Sequence, residues 1–224
     1  MRQLTVCLMA LWLAACAAQP NPALGPASSS PASSAAPSAG PVNPANIKRI
    51  RSALPAGYEI ADVPGSLSAA GLWGFGTGWT AAPGQCGTLA DPAPDDPGVR
   101  GYSASGPGGI VYVVVAVPGR GAPDPALIGE CAHWTMAFAH TTGDVSLAEP
   151  PHIDGAETLA MTVDTRMVVE SGTETDGRAV TAQAYLDGHV VFVTLVTDPG
   201  SPHPPLDSHV VGDLLVATVS ALRT

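Results

Sequence analysis

Charge, aromatic rings and cysteine are all scarce in this chain, and each scarcity excludes something. Only 12% of its 224 residues are charged and 5% are aromatic. The few charges are one-sided: nine Lys and Arg stand against nineteen Asp and Glu, a formal net charge of −10. So acidic a surface repels nucleic acid and anionic headgroups, which argues against both as broad-surface partners. The charge is also thinly spread, so no solvated acidic tail is present. No apolar run approaches the ~20 residues a spanning helix needs. Four cysteines without a Cys-x-x-Cys pair exclude a disulfide-dense scaffold and argue against a redox or thiolate-metal site.

What is present begins with Arg2, an apolar run from Leu4 to Leu13, and then Leu13-Ala14-Ala15-Cys16. A basic start, a short apolar stretch and small residues form a secretion signal. The ending resembles the lipobox of bacterial lipoproteins. That resemblance implies cleavage before Cys16, a diacylated Cys16 thiol, and a protein held on the extracytoplasmic face of the cell membrane. Loss of Arg2 with residues 1–15 leaves eight basic and nineteen acidic residues, a net of −11.

Residues 16–45 follow as a tether rich in Pro, Ala and Ser. Lacking aromatics and nearly all large aliphatics, they cannot offset the entropy of ordering. The 28 residues from Ala17 to Pro44 reach ~80–90 Å when extended. Residues 46–224 remain, enough for one domain with its own core. With Cys7 in the signal and Cys16 at the lipid site, Cys86 and Cys131 are left. In an oxidising compartment they are most simply a disulfide.

Asn46 can cap a short helix, Ile47 to Leu54, whose polar side carries Lys48, Arg49 and Arg51. These cations read either as a solvated face or as a headgroup contact. Tyr58 to Val63 alternates as a short strand. Trp73, Phe75 and Trp79 then lie among glycines. Such a segment presents aromatic faces to a sugar or lipid, or plugs one end of a core. Its glycines do not match a phosphate loop. Ile110 to Val117 is eight apolar residues rich in β-branched types, a strand buried on both faces.

Asp124 and Pro125 cap a predicted helix in which Leu127, Ile128, Cys131, Trp134 and Phe138 share a face. Leu159 to Val169 alternates apolar and polar residues, and Arg178 to Leu186 returns through Asp187-Gly188 into Val190 to Thr197. These are three strands of an antiparallel meander. A terminal helix buries Val211, Leu214, Leu215, Thr218 and Leu222. The fold class is α+β: an antiparallel sheet of about five or more strands, with helices on one face and a single disulfide.

Chemistry-bearing motifs are sparse. Gly101-Tyr-Ser103-Ala-Ser105-Gly106 is no nucleophile elbow, because its second glycine falls one place late. His133 and His140, seven apart on the predicted helix, are the nearest approach to a metal pair. His152, His189, His203 and His209 fall in no recognisable motif. The carboxylate pairs Asp95-Asp96 and Asp154/Glu157 belong to turn-like segments. No catalytic residue, metal or cofactor is predicted.

Taken together, the lipobox, the tether, Ile47-Lys-Arg-Ile-Arg-Ser-Ala-Leu-Pro-Ala-Gly-Tyr58, and Gly84-Gln-Cys86 with Leu89-Ala-Asp-Pro92 resemble actinobacterial, mycobacterial-type envelope lipoproteins of unknown function. The placement of Cys131, and of Asp154-Gly-Ala before a meander, is similar to the extracellular sensor domain of the PknH kinase. The resemblance implies an antiparallel sheet flanked by helices, with a ligand cleft. The chain departs from that kinase in having no spanning helix and one internal cysteine pair. The expected role is a lipid-anchored, non-catalytic domain that binds a small envelope lipid or glycan, or an envelope protein. Two alternatives stand beside it: a hydrolase or transferase acting on envelope glycolipids, and a structural lipoprotein without a pocket.

Overall fold

The structure, a computed structural model, describes residues 40–94, 96–169, 171–197 and 200–224. The signal, the Cys16 lipid site and most of the tether lie outside the described residues. A 3-10 helix, η1 (Pro44–Ser52), comes first, capped by the Asn43 side chain and burying Ile47 and Ile50. There follow β1 (Glu59–Asp62), α1 (Ala69–Leu72), β2 (Thr80–Ala82), the 3-10 turn η2 (Gly84–Cys86), α2 (Gly87–Ala90), β3 (Arg100–Gly106) and β4 (Gly109–Ala116). The second half holds α3 (Pro125–Glu130), β5 (His133–Phe138), β6 (Thr141–Ala148), β7 (Glu157–Val168), β8 (Glu174–Leu186), β9 (His189–Thr197) and α4 (His209–Leu222).

The nine strands form one sheet in the order β1-β3-β4-β9-β8-β7-β6-β5-β2, and every neighbouring pair is antiparallel. Strands β5 to β9 are a continuous meander. The expected two-residue turn joins β8 to β9, with Asp187 and Gly188 both at positive φ and Leu186 paired to His189. β4 lies third from one edge between β3 and β9, and Val113 to Ala116 are buried, as its unbroken apolar run requires.

Alternating side chains give the sheet two cores. On one face α4 and η1 pack over Val111, Val113, Ala182, Val191, Val193 and Leu195. The five α4 positions expected from the sequence are all buried, and each large aliphatic among them contributes about 1.5–3 kcal/mol. On the other face α1, α2 and the cysteine pair cover Val114, Trp134, Leu159, Met161, Val163 and Phe192. The Cys86–Cys131 bond is formed, with Cα atoms 5.5 Å apart.

Several local expectations are corrected. The helix predicted from Asp124 through Phe138 is two elements. Asp124 does cap it, accepting from the Ala126 N–H at 2.8 Å, but it ends at Glu130 with Cys131 as its C-cap. Trp134, Met136 and Phe138 then alternate along β5. The apparent helical face spliced the end of a helix to the start of a strand. His133 is therefore a strand residue, and His140 sits in the turn after β5. Gly101 to Gly106 is strand β3, and Gly101 is required there: a Cβ would meet the Val113 carbonyl oxygen at 2.0 Å.

Candidate functional site

A cleft of about 740 Å³ opens on the face carrying the disulfide. One wall is Trp79 with β2, followed by Gly84, Gly87 and Thr88 of η2 and α2, and then Asp91, Pro92 and Pro94. The opposite wall is segment 119–124 with Leu127 of α3, and Tyr185 of β8 forms the floor. The volume is that of a pocket for a small organic ligand.

Each wall is held by identifiable contacts. The Gly119 N–H donates to the Pro92 carbonyl at 3.0 Å, linking the two walls. Cys86 ends η2 and Cys131 is the C-cap of α3, so the disulfide ties together the segments that carry the two walls. Gly87 allows the indole of Trp79 to lie against α2, since a Cβ there would stand 2.9 Å from the ring. The Tyr185 hydroxyl donates to Gln183 Oε1 at 2.8 Å, and Gln183 Nε2 donates to the Leu89 carbonyl at 3.0 Å. This buried relay ties α2 to the sheet under the cleft. Burial pushes the Tyr185 phenol well above its ordinary value, so it stays a neutral donor.

The lining is largely apolar, with Trp79, Leu127 and three prolines, and charge enters through Asp91, Arg120 and Asp124. Asp124 is engaged as the α3 cap. No histidine or free thiol lines the cleft among the described residues. Such a wall suits an amphipathic molecule with an apolar or ring-bearing portion and a polar end.

Of the three aromatics singled out in the sequence, only Trp79 is in the cleft. Trp73 and Phe75 are 4% and 3% exposed, and the ligand role expected for them is corrected to a core role. The Trp73 indole N–H donates to Thr181 Oγ1 at 2.9 Å, and Phe75 fills the space over Gly143. Tyr185 and Gln183 were missed; Thr181, Gln183 and Tyr185 follow one another on one face of β8 between small apolar neighbours, and that was the available signal.

The histidines do not assemble a site. His133 Nδ1 lies 3.1 Å from Ser146 Oγ, and its Nε2 lies 3.9 Å from Asp144 Oδ1. These are the residue types of a hydrolase triad, but the His–Asp distance exceeds hydrogen-bonding range. The His133 and Asp144 side chains are both more than half exposed on an open sheet surface, so nothing excludes water from them. Ser103 and Ser105 are paired in β3, opposite Tyr112 and Ile110. His152 contacts Asp154 at 3.1 Å with both side chains solvated. Asp96 accepts from the Gly98 and Val117 N–H groups, both at 2.8 Å, while Asp95 lies outside the described residues. No group of three or more His, Cys, Asp or Glu placed to hold a metal occurs among the described residues.

Residues 43–223 match a family model described as "Domain of unknown function (DUF5642)". An X-ray structure of an uncharacterized Mycobacterium smegmatis protein, the Rv0999 ortholog, superposes with a TM-score of 0.61 at 22% identity, over 82% of this chain and 98% of that one. At that identity the likeness shows the fold alone. No curated protein matches the chain.

Proposed function

The chain belongs to the DUF5642 family, and from that premise we propose that it is an exported envelope lipoprotein, anchored through lipid on Cys16, whose domain binds a small amphipathic envelope ligand without catalysis. The cleft between Trp79 and Leu127, floored by Tyr185, is the observation that carries this reading. Its size and apolar lining favour a binding role over a structural lipoprotein with a filled core. The hydrolase alternative has less support, since its nearest constellation, Ser146–His133–Asp144, is solvated and lies outside the cleft lining. A sensor-like role of the PknH kind belongs to the same proposal, with the cleft as the element that would report a ligand.

Export and anchoring rest on the residues from Arg2 to Cys16. A single experiment examines both halves. The protein is isolated from its own envelope after growth with a palmitate analogue, then weighed by native mass spectrometry. The expected result is label lost in Cys16→Ala, and a co-purifying lipid or glycan whose occupancy falls at least tenfold in Trp79→Ala. Label that persists in Cys16→Ala overturns the anchor, and an unliganded mass for the wild-type protein overturns the binding role.

A further inference from the structure

We propose that η1 and the start of β3 form a docking surface for an anionic lipid membrane, holding the domain with η1 against the bilayer and the ligand cleft turned away from it. The setting rests on the anchored-lipoprotein reading, while the surface itself is read from the structure.

Charge is segregated in this molecule. Of nine Lys and Arg in a chain of net charge −10, four gather at one place. Lys48, Arg49 and Arg51 project from η1, whose apolar side chains Ile47 and Ile50 face inward. Arg100, at the start of β3, joins Lys48 in lining a hollow of about 300 Å³. Arg100 also lines a neighbouring hollow of about 280 Å³ together with His189 and Val117. Val117, 56% exposed, stands beside Arg100 in that second hollow, and its N–H donates to the Asp96 carboxylate at 2.8 Å. Arg51 lies 5.1 Å from the centre of the Tyr102 ring, and Arg49 donates to Thr224 Oγ1 at 2.6 Å. Asp62 is the carboxylate that shares the Lys48–Arg100 hollow.

Net charge argues against adhesion of the whole surface to an anionic bilayer, but it does not govern a local patch. Beyond about 8 Å at physiological salt the remaining carboxylates are screened from a contacting headgroup. Each Lys or Arg at an anionic lipid surface raises partition about fivefold. Lys48 and Arg100 share one hollow and Arg51 lies over the Tyr102 ring that lines it, so three cations converge on one face, as an electrostatic headgroup contact requires. A bilayer is favoured as the partner because η1 begins at Pro44, where the tether read from the sequence ends, so the lipid on Cys16 keeps this patch within the tether's reach of a membrane. The η1 side chains belong to the core on the α4 face, and Trp79, Leu127 and Tyr185 to the core on the opposite face. Docking through η1 therefore leaves the cleft open to the envelope.

Vesicle co-sedimentation tests the surface without the anchor, so failure of one reading leaves the other standing. The chain from residue 16 onward, carrying Cys16→Ala, is mixed with vesicles of phosphatidylcholine alone or containing phosphatidylglycerol. Binding is expected only to the anionic vesicles, and to be lost at high salt. Lys48→Gln with Arg49→Gln should weaken it, and adding Arg51→Gln should bring the loss to about 100-fold. Arg166→Gln with Arg178→Gln, an equal charge change elsewhere, should leave it unchanged. Thermal melts verify that each variant folds. Absent binding, equal binding to both vesicles, or equal loss in the control pair overturns the docking surface. For orientation, the lipidated protein on anionic vesicles should be cut by trypsin after Arg120 but protected after Lys48, Arg49 and Arg51. Protection at Arg120, or cleavage at the η1 sites, overturns the orientation.

Discussion

Tyr185 is where the chemistry of single residues meets the cleft. Its ring is 7% exposed, and its hydroxyl donates to Gln183, which is wholly buried. A phenol whose folded pKa lies above its unfolded value near 10.0 leaves stability intact at lower pH, because it is neutral in both states. Above that pH the unfolded chain loses the proton and the folded chain keeps it, so stability falls by up to ~1.4 kcal/mol per pH unit. Tyr185→Phe should remove this slope. At neutral pH it should cost about 1–2 kcal/mol, since Gln183 Oε1 loses its donor in the interior. Urea titrations of both proteins between neutral pH and pH 11 measure the difference, and parallel slopes would refute it. At this scale the sequence was partly legible. Clustered aromatics pointed to a ligand wall or a core plug for Trp73, Phe75 and Trp79 together but could not separate Trp79 from the other two, because packing against the sheet decides which rings are covered. Thr181, Gln183 and Tyr185 in succession on one face of β8 gave a weaker signal of a buried relay.

Elements with a strict period were readable and short spliced ones were not. β7 sets Leu159, Met161, Val163, Thr165 and Met167 at every second position, β8 and β9 flank an Asp-Gly turn, and α4 repeats its apolar face over four turns. By contrast α3 has six residues and β5 also six, separated by Cys131 and Ala132, so a helical window spans both without meeting a contradiction. β2 has three residues and no pattern of its own; its place is set by pairing to β5. The cleft walls are built from these short pieces, which is why the site was harder to foresee than the sheet. Their brevity also makes them dependent on the disulfide. Cys86 and Cys131 are 45 positions apart, so the link restricts the unfolded chain by ~3–4 kcal/mol. Cys86→Ala with Cys131→Ala should lower stability by about that amount in denaturant titration. Amide exchange should rise chiefly in 79–94 and 119–131, while β7 to β9 keep their protection. Uniform loss across the sheet would show that the bond supports the whole fold and not the cleft walls in particular.

At the scale of the molecule, one sheet serves two cores, and β4, β8 and β9 contribute side chains to both. The sequence announced this only in β4, whose unbroken apolar run allows no wet face; in β8 and β9 the buried Thr181, Gln183 and Thr194 break the apolar run that would have marked both faces as covered. The edges are four-residue β1 and three-residue β2, too short to template pairing with another chain. Shared central strands couple the faces mechanically, since unpairing them opens both cores at once. Leu215 of α4 is fully buried on one face, whereas Trp73, Trp79 and Trp134 all belong to the other. Leu215→Ala should cost about 2–5 kcal/mol through the cavity it leaves. If the sheet unfolds as one unit, the tryptophan fluorescence transition should shift to lower denaturant by the same amount as the far-ultraviolet circular dichroism transition. A tryptophan signal that stays at the wild-type midpoint while helix content is lost would show that the two faces unfold separately.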